Sequence, residues 1–422
     1  MTTALFTDRY ELTMLGSALR DGTAQRRCVF EVFARRLPDG RRYGVVAGTG
    51  RLLQALAAFR FDAATIDRLR ADGVVDDDTA RFLAGYRFRG DLDGYPEGEL
   101  YFPYSPVLTV SGTFAEAVVL ETLALSIYNH DCAVASAAAR MVTAAGGRPI
   151  IEMGSRRTHE QAAVAAARAA YIAGFASSSN LAAGVRFGVP TAGTAAHAFT
   201  LLHDEERSAF AAQVASLGVG TTLLVDTYDI SRGIATAVEV AGTALGAVRI
   251  DSGDLGVMAA QAREQLDALG ATGTRIVVSG DLDEFSIAAL AIAPVDAYGA
   301  GTAVVTGSGA PTAEMVFKLV EVDGRPVAKR SEHKASAGGR KTALRAAKPT
   351  GTVTEEIVLP GRVDPADGER ALQVPLMRGG DPVPELGGLE RARDHLRAAL
   401  VTLPWDGLKL SRGEPAIPTR RG

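Results

Sequence analysis

The sequence predicts an α/β protein in which an irregular TIM-like α/β barrel is joined to a second, β-rich domain built from both chain ends. In the middle of the chain, short apolar runs alternate with helical stretches, a pattern typical of parallel strands joined by crossover helices. The apolar runs are continuous, as expected for a sheet covered on both faces. The two flanks carry short β patterns and turn residues instead. A chain of 422 residues suits two or three domains, at roughly 100–200 residues each.

The central segment contains five strand units in succession, most of them followed by a helix. Five such units favour a barrel over a short open sheet. We expect the strands at 149–153, 221–226, 247–251, 275–280 and 295–299. We expect the helices at 157–174, 230–240, 255–269 and 283–291.

The flanks have the pattern of a separate β domain. The pair Asp323-Gly324 stands between two β runs, which is a strong signal for a hairpin turn. Lys318 is the first lysine of the chain and marks a shift in composition. We therefore expect a β-rich, open sandwich-like domain from residues 1–105 plus 318–422, and a barrel domain from residues 106–317. Further β runs are expected at 28–37, 43–48 and 98–110, with helices near 50–59 and at 385–400.

Composition excludes several classes of protein. No apolar run approaches the roughly 18–20 residues of a membrane span, and the N-terminal residues do not have the pattern of a signal peptide. Two cysteines cannot build a disulfide framework or a four-cysteine zinc site. The net charge of −4 argues against nucleic acid as the main partner. We expect a cytoplasmic protein with no membrane partner.

The absence of lysine from the first 317 residues is a further exclusion. A Walker A loop needs a lysine for the phosphates, and a Schiff base needs one as nucleophile. Neither can be formed by that segment.

Polar residues follow each predicted central strand, where barrels collect their functional groups. A single motif of this kind is usually a helix cap, but five at successive strand ends are harder to explain by capping alone. Arg156, Arg157 and Arg249 can hold phosphates as bidentate forks, and glycine-rich helix N-termini can cradle phosphate oxygens. Carboxylates after three strands could bind Mg²⁺ or oppose a developing cation. The predicted ligand is a phosphorylated sugar or a nucleotide.

His197 is the histidine most suited to chemistry. It follows small residues in the run Gly193 to Phe199, which permits close approach of a phosphate, and it can act as nucleophile or general base. His159 is either a donor that supports the arginine pair or an ordinary surface residue. A structural role is expected for His130, and a solvated position for His203, His333 and His395.

Together these motifs resemble the nicotinate phosphoribosyltransferase family of NAD salvage enzymes. The resemblance implies a homodimer with active sites at the subunit interface, joining nicotinate to 5-phosphoribosyl-1-pyrophosphate to give nicotinate mononucleotide and pyrophosphate. It implies coupling to ATP hydrolysis through a phosphohistidine at His197, oriented by Asp226. The matching stretches are 7–14, 33–38, 152–159, 174–180, 193–199, 226–229, 249–255, 279–284 and 299–302.

The resemblance also assigns the substrate contacts. Arg156 and Arg249 would hold phosphate or pyrophosphate and flank the pyridine ring. That ring would lie between Phe175 and Tyr10 of the partner subunit, which the N-terminal helix carries. The ribose region would contact Asp251, Ser252 and Gly253, and the 5-phosphate would contact Gly280, Asp281, Gly301 and Thr302. Mg²⁺ would be held through pyrophosphate, with no fixed protein ligand.

Ser179 bears on the choice between acid and amide. The related nicotinamide enzymes have an aspartate at this place, which would repel a carboxylate, whereas a serine can donate to one. Ser178 replaces a more usual threonine and keeps the hydroxyl. Three alternatives stay open: a nicotinamide enzyme, which Ser179 disfavours; a quinolinate phosphoribosyltransferase, which expects an active-site lysine; and a non-catalytic protein that binds a phosphosugar or nucleotide.

Overall fold

The computed structural model describes residues 2–329, 337–384 and 387–422. The chain divides into two compact units. The first unit is formed by the described residues before Ala137 and after Gly309, and the second unit consists of Ala137–Gly309. His333 and the predicted start of the last helix at 385–386 lie outside the described residues.

The N-terminal part of the chain contains five strands and six helices. All belong to the first unit except the end of α6, which runs past the boundary at Ser136/Ala137. The helices are α1 (Arg9–Asp21), α2 (Thr49–Ala57), α3 (Ala63–Ala71), α4 (Asp77–Ala84), α5 (Phe114–Val118) and α6 (Glu121–Ala145). The strands are β1 (Arg27–Ala34), β2 (Gly44–Val45), β3 (Asp91–Gly94), β4 (Leu100–Tyr101) and β5 (Leu108–Thr113).

The second unit alternates strands and helices. Its strands are β6 (Ile150–Glu152), β7 (Ser177–Ser178), β8 (Thr222–Leu224), β9 (Ala247–Ile250), β10 (Arg275–Gly280) and β11 (Ala297–Ala300). Its helices are α7 (Glu160–Ile172), α8 (Leu181–Phe187), α9 (His197–Leu201), α10 (Glu206–Leu217), α11 (Ile230–Ala241), α12 (Leu255–Ala268), α13 (Glu284–Ala289) and α14 (Thr302–Val305).

The C-terminal part returns to the first unit. Its strands are β12 (Met315–Val322), β13 (Arg325–Pro326), β14 (Lys341–Ala347), β15 (Val353–Pro360), β16 (Glu369–Ala371), β17 (Val374–Arg378), β18 (Asp381–Pro382) and β19 (Thr419–Arg421), and its helix is α15 (Leu389–Thr402).

The first unit is built on a seven-stranded sheet in the order β13-β12-β1-β5-β3-β17-β18. Its interior strand β1 is buried at every position except the first, and Phe30 stacks on Phe317 of β12 with ring centroids 4.8 Å apart. The predicted hairpin is confirmed, since β12 pairs with β13 and both Asp323 and Gly324 adopt positive φ angles, as a type I′ turn requires. A four-stranded sheet, β16-β14-β15-β19, and the pair β2-β4 complete the β structure.

The boundaries of the units differ from the predicted domain limits. Strand β5 lies in the segment predicted for the barrel, but it pairs with β1 and β3 of the first unit. The first residues of β12 likewise pair with β1 before Lys318 is reached. Antiparallel pairing over long sequence separation therefore moves the boundaries to Ser136/Ala137 and Gly309/Ala310.

A buried ionic cluster lies within the first unit. Arg345 of β14 donates to the carboxylates of Glu99 and Glu356, and all three side chains are almost fully buried. Burial by itself would raise the pKa of Glu99, but Arg345 and its other donors lower that pKa below its usual range. His395 also contacts Glu99, at 2.9 Å, with its side chain 35% exposed, so it is only partly solvated and also serves as a partner of the buried carboxylate.

The second unit is a six-stranded parallel sheet in the order β7-β6-β11-β10-β9-β8. The predicted α/β class is confirmed, and within this fully described unit no ladder joins β7 to β8, so the sheet is a curled half-barrel. Strands β9 and β10 are almost entirely buried, in agreement with their continuous apolar sequences. No helix in the described parts of the chain is long and apolar enough to cross a membrane.

Candidate functional site

The carboxyl ends of the parallel strands bring most of the predicted site residues to one edge of the second unit. In a parallel sheet every strand ends at this edge and is followed by a turn that leads into a helix. Asp226 follows β8, Asp251 follows β9, and Asp281 follows β10. The predicted strand-end positions are therefore real neighbours in the sheet order.

Arg249 is held in a fixed orientation by three partners. Its Nε donates to the Ser279 hydroxyl at 2.7 Å, its Nη2 donates to Asp251 Oδ1 at 2.8 Å, and its Nη1 donates to Thr194 Oγ1 at 3.2 Å. Burial would raise the pKa of Asp251, but hydrogen bonds from Ser279 and Arg249 lower it overall. Asp251 is therefore ionised near neutrality, and the guanidinium is preorganised for an anionic ligand.

Asp226 lies between the β9 turn and His197. Its Oδ2 accepts hydrogen bonds from the Asp251 backbone N–H at 2.9 Å and from the Ser252 hydroxyl at 2.7 Å. Its Oδ1 is buried and has no hydrogen-bond partner, but it lies 3.9 Å from His197 Nε2. A buried carboxylate oxygen that accepts no hydrogen bond costs free energy. A hydrogen bond from the nearby imidazole would remove this cost, so the oxygen is suited to hold His197.

His197 is the first residue of α9, with a side chain 42% exposed. Its Nδ1 lies 3.2 Å from the Thr227 hydroxyl. The two ring nitrogens thus face different partners: Nε2 faces the carboxylate of Asp226, and Nδ1 faces a hydroxyl. When Nε2–H is held by the carboxylate, Nδ1 keeps its lone pair toward the Thr227 hydroxyl, which is the tautomer that nucleophilic or proton-transfer chemistry at Nδ1 requires.

Arg156 and Ser179 lie on the turns that follow β6 and β7, the two strands farthest from β8 in the order of the sheet. Both are exposed. The turn before Arg156 needs a glycine, because a Cβ at Gly154 would lie 2.2 Å from the Val305 side chain. The Arg157 N–H donates to the Gly154 carbonyl at 2.8 Å, so Arg157 closes this turn, and α7 begins at Glu160, three residues after the predicted start of the helix at Arg157.

The predicted phosphate residues lie at the ends of the two neighbouring strands β10 and β11. Gly280 has φ +147°, and Gly301 is the N-cap of the short helix α14, which begins at Thr302. A Cβ at Gly301 would lie 3.2 Å from the Met153 carbonyl. Asp281 is exposed, as are Ser252 and Gly253 in the β9 turn, where Gly253 has φ +86°. With these exposed residues, the turns after β9 and β10 are accessible to a ligand.

Two predicted ring contacts are not brought to this edge. Phe175 is completely buried, so its ring is not accessible to a ligand in this conformation and the predicted stacking does not fit it. Tyr10 belongs to the first unit, where it is 45% exposed on α1; burial and nearby acidic groups, chiefly Glu121, raise its pKa above the usual range.

His159 caps α7 by accepting from the Gln161 N–H at 3.3 Å, and it is exposed, which agrees with its interpretation as an ordinary surface residue.

Three residues of the site were missed as site residues. Ser279 and Thr194 contact Arg249, and Thr227 contacts His197. Hydroxyl residues at strand ends are too common to be singled out in a sequence, although all three stand in or next to the motifs quoted above. Among the described residues, no group of three or more histidine, cysteine or acidic side chains has the arrangement of a metal site.

Comparison with known proteins identifies the family. The family model for the nicotinate phosphoribosyltransferase (NAPRTase) N-terminal domain matches residues 5–129. The nicotinate phosphoribosyltransferase pncB1 of Mycobacterium tuberculosis is 67% identical over 99% of this chain and 94% of its own length. A nicotinate phosphoribosyltransferase of Bacillus subtilis is 36% identical over 81% of this chain and 73% of its own.

Solved structures agree with the sequence relatives. The crystal structure of human nicotinic acid phosphoribosyltransferase matches with a TM-score of 0.85 at 26% identity, and it covers 98% of this chain and 97% of the human chain. A nicotinate-nucleotide pyrophosphorylase from Pyrococcus furiosus matches with a TM-score of 0.78 at 25% identity, over 94% of both chains. On the 67% identity that extends over almost its whole length, the chain belongs to the nicotinate phosphoribosyltransferase family.

Proposed function

We propose that this protein is a nicotinate phosphoribosyltransferase that joins nicotinate to 5-phosphoribosyl-1-pyrophosphate, giving nicotinate mononucleotide and pyrophosphate. The observation that carries the proposal is the cluster of Arg249, Asp251, Asp226 and His197 at one sheet edge. Cationic, anionic and imidazole groups are preorganised there without a lysine. Family membership and the strand-end geometry point to the same reaction.

The pyridine nitrogen would attack the anomeric carbon of the ribose as the bond to pyrophosphate breaks. Positive charge develops on the ribose during this step, and the ionised Asp251 would stabilise it. Arg249 and Arg156 would hold the pyrophosphate and flank the pyridine ring. The half-buried turns at Gly280 and Gly301 would receive the 5-phosphate through backbone N–H groups.

Ser179 supports an acid rather than an amide as the substrate. Its side chain is exposed at the end of β7 and carries no charge that would repel a carboxylate. Mg²⁺ would enter with pyrophosphate, because it retains water and phosphate ligands in preference to protein cages, and Asp281 is an exposed carboxylate available to the hydrated ion. Bound Mg²⁺ would neutralise charge on the leaving pyrophosphate.

ATP would serve as a co-substrate through His197. With Nε2–H held by Asp226, the Nδ1 lone pair would attack the γ-phosphorus of ATP; the bond to ADP breaks as the bond to nitrogen forms. Water would later cleave the phosphorus–nitrogen bond and release phosphate. The support for this step is the buried, unpartnered Oδ1 of Asp226 facing the ring.

The first experiment is to detect nicotinate mononucleotide by mass spectrometry after incubation with the activated ribose donor and Mg²⁺. Nicotinate and nicotinamide are compared, each with and without ATP. We expect product from nicotinate, with ATP increasing its yield. Product from nicotinamide alone would support the amide enzyme, and no product from either would support a binding protein.

His197→Ala tests the phosphohistidine. We expect this variant to lose ATP hydrolysis while retaining slow, ATP-independent formation of nicotinate mononucleotide. His159→Ala is the matched control, because His159 caps α7 and contacts its exposed neighbour Glu160, so its loss leaves the His197 site intact. Undiminished ATP hydrolysis by His197→Ala would refute the phosphohistidine.

We also propose a cytoplasmic homodimer in which Tyr10 of the partner subunit completes each site. Light scattering measures the assembly, and mixed dimers test the shared site. Tyr10→Ala and His197→Ala homodimers are both expected to lack ATP-coupled synthesis. Unfolding and refolding the two together would form heterodimers with one intact site, so coupled activity should return. No recovery despite heterodimer formation would contradict a shared site.

A further inference from the structure

Glu152 closes a ring of hydrogen bonds at the end of β6. Its carboxylate accepts from the Ser178 hydroxyl and from the Gly154 backbone N–H. The Ser178 oxygen accepts from the Asn180 backbone N–H at 2.9 Å, and the Asn180 amide donates to the Ser155 hydroxyl at 3.0 Å. The ring therefore ties the turn that follows β6 to the turn that follows β7.

The carboxylate at the centre of this ring is unusual for the protein interior. Glu152 is only 1% exposed, and among the described residues no cationic side chain forms an ion pair with it. Burial raises its pKa, although the hydrogen bonds from Ser178 and Gly154 act in the opposite direction. Other buried carboxylates of this protein, such as Glu99 and Glu284, are paired with arginine.

An unpaired buried carboxylate costs free energy, so stability is a poor explanation for Glu152. Its two oxygens instead set the distance between two backbone segments, because one oxygen accepts from the Gly154 N–H in the turn after β6 and the other from the hydroxyl of Ser178, the last residue of β7. The backbone carbonyl of Glu152 adds a third tie, accepting from the Ser179 N–H at 2.8 Å. One residue thus fixes the bases of both turns.

These two turns carry Ser179, assigned above to the carboxylate of nicotinate, and Arg156, assigned above to the pyrophosphate and to one face of the pyridine ring. We infer that Glu152 is a positioning residue for nicotinate: through Ser178 and Gly154 it sets where the Ser179 hydroxyl and the Arg156 guanidinium stand. This inference rests on the proposed function. It assigns no contact between Glu152 and substrate, and it predicts a selective effect on nicotinate binding.

The test is steady-state kinetics of Glu152→Ala, Glu152→Gln and Ser178→Ala in the full chain. We expect Glu152→Ala and Ser178→Ala to raise KM for nicotinate about tenfold, the effect of losing one well-placed hydrogen bond. KM for the ribose donor should rise less, by about threefold at most, because Arg156 shares the pyrophosphate with Arg249, which Glu152 does not contact, and the phosphate turns are untouched. The value of kcat should also change less than about threefold. Glu152→Gln keeps the side-chain length and one acceptor, so it should recover most of the affinity.

Two further measurements separate positioning from general damage. The double variant Glu152→Ala/Ser178→Ala should raise KM for nicotinate no further than Glu152→Ala alone, because both changes open the same ring. Asp296→Ala is the control: Asp296 accepts from the Ile276 N–H at 2.7 Å, at the opposite end of the same sheet. It should lower Tm without changing KM for nicotinate. If Glu152→Ala does not fold, Ser178→Ala and Glu152→Gln carry the test.

A native KM for nicotinate in folded Glu152→Ala or Ser178→Ala would overturn the inference. Equal changes in both KM values and kcat would also overturn it, since they indicate a general loss of structure. A wild-type protein that forms no nicotinate mononucleotide would instead overturn the proposed function, so the two failures are distinguishable.

Discussion

Replacing Asp226 by asparagine tests the orientation of His197 with little change in shape. The amide oxygen can take the place of Oδ2 and keep both hydrogen bonds, those from the Asp251 N–H and the Ser252 hydroxyl. The amide nitrogen then takes the place of Oδ1 and faces His197 Nε2. Because that nitrogen is a donor, it favours the tautomer protonated at Nδ1, which removes the lone pair proposed to attack ATP.

The expected size of the effect follows from the distance. Asp226 Oδ1 lies 3.9 Å from His197 Nε2, and positive charge develops on the ring as Nδ1 is phosphorylated. At an effective dielectric constant near 20, two unit charges about 4 Å apart interact by about 4 kcal/mol. Losing that interaction slows phosphorylation by about 10³-fold. The fold should survive, since the hydrogen bonds of Oδ2 are kept.

The assay measures ATP hydrolysis and the acid-labile phosphate on the protein in wild type and Asp226→Asn, with Tm measured in parallel. Asp229→Asn is a matched control in the same turn. Asp229 caps α11 by accepting from the Arg232 N–H, and asparagine is an equally good cap, so this variant should keep its ATP hydrolysis. Wild-type ATP hydrolysis by a folded Asp226→Asn would refute the orientation argument.

Three other outcomes are expected. Ser179→Asp should shift the ratio of kcat/KM values toward nicotinamide, because a carboxylate there repels the acid and accepts from the amide; an unchanged ratio would reject the assignment of Ser179. Arg345→Met should destabilise the first unit by about 3–5 kcal/mol, because the buried Glu356 loses its ion pair with Arg345 and Glu99 keeps only its contacts with Arg370 and His395; the urea midpoint should fall. The partly exposed Arg370→Met should cost about 1 kcal/mol or less, and equal midpoints for the two would contradict the role of burial. The lowered pKa of Asp251 means that its stabilisation is present above the usual carboxyl pKa and is lost as pH falls through the lowered value. The difference in unfolding free energy between wild type and Asp251→Asn should therefore shrink in acid, and a difference that grows would refute the sign.

Local patterns made much of the fold and of the candidate site predictable. Strand β10 has the predicted bounds, and the hairpin at Asp323-Gly324 was readable because only a few residue pairs adopt two successive positive φ angles easily. The strand-end residues Asp226 and Asp251 could be grouped because parallel strands end at one edge. Contacts between residues far apart in sequence were not readable, such as Thr194 with Arg249 or His395 with Glu99.

The errors have the same physical origin. Phe175 looked available for stacking, but side-chain packing decides which aromatic rings are buried, and that depends on all neighbouring elements. The predicted barrel segment 106–317 includes β5, because the sequence of this strand does not show whether its partners will be parallel or antiparallel. Its hydrogen bonds go to β1 and β3 of the first unit.

The sequence by itself determined the α/β class, the family resemblance and the absence of lysine from the first 317 residues, so that arginine and backbone N–H groups must handle phosphate there. These follow from composition and from spacing along the chain. Only the tertiary structure decided that Arg249 is held by Ser279 and Asp251, that Asp226 keeps a buried oxygen free toward His197, and that Glu152 joins two turns. Each depends on distances between side chains carried by different strands, which are set when the parallel sheet forms its register.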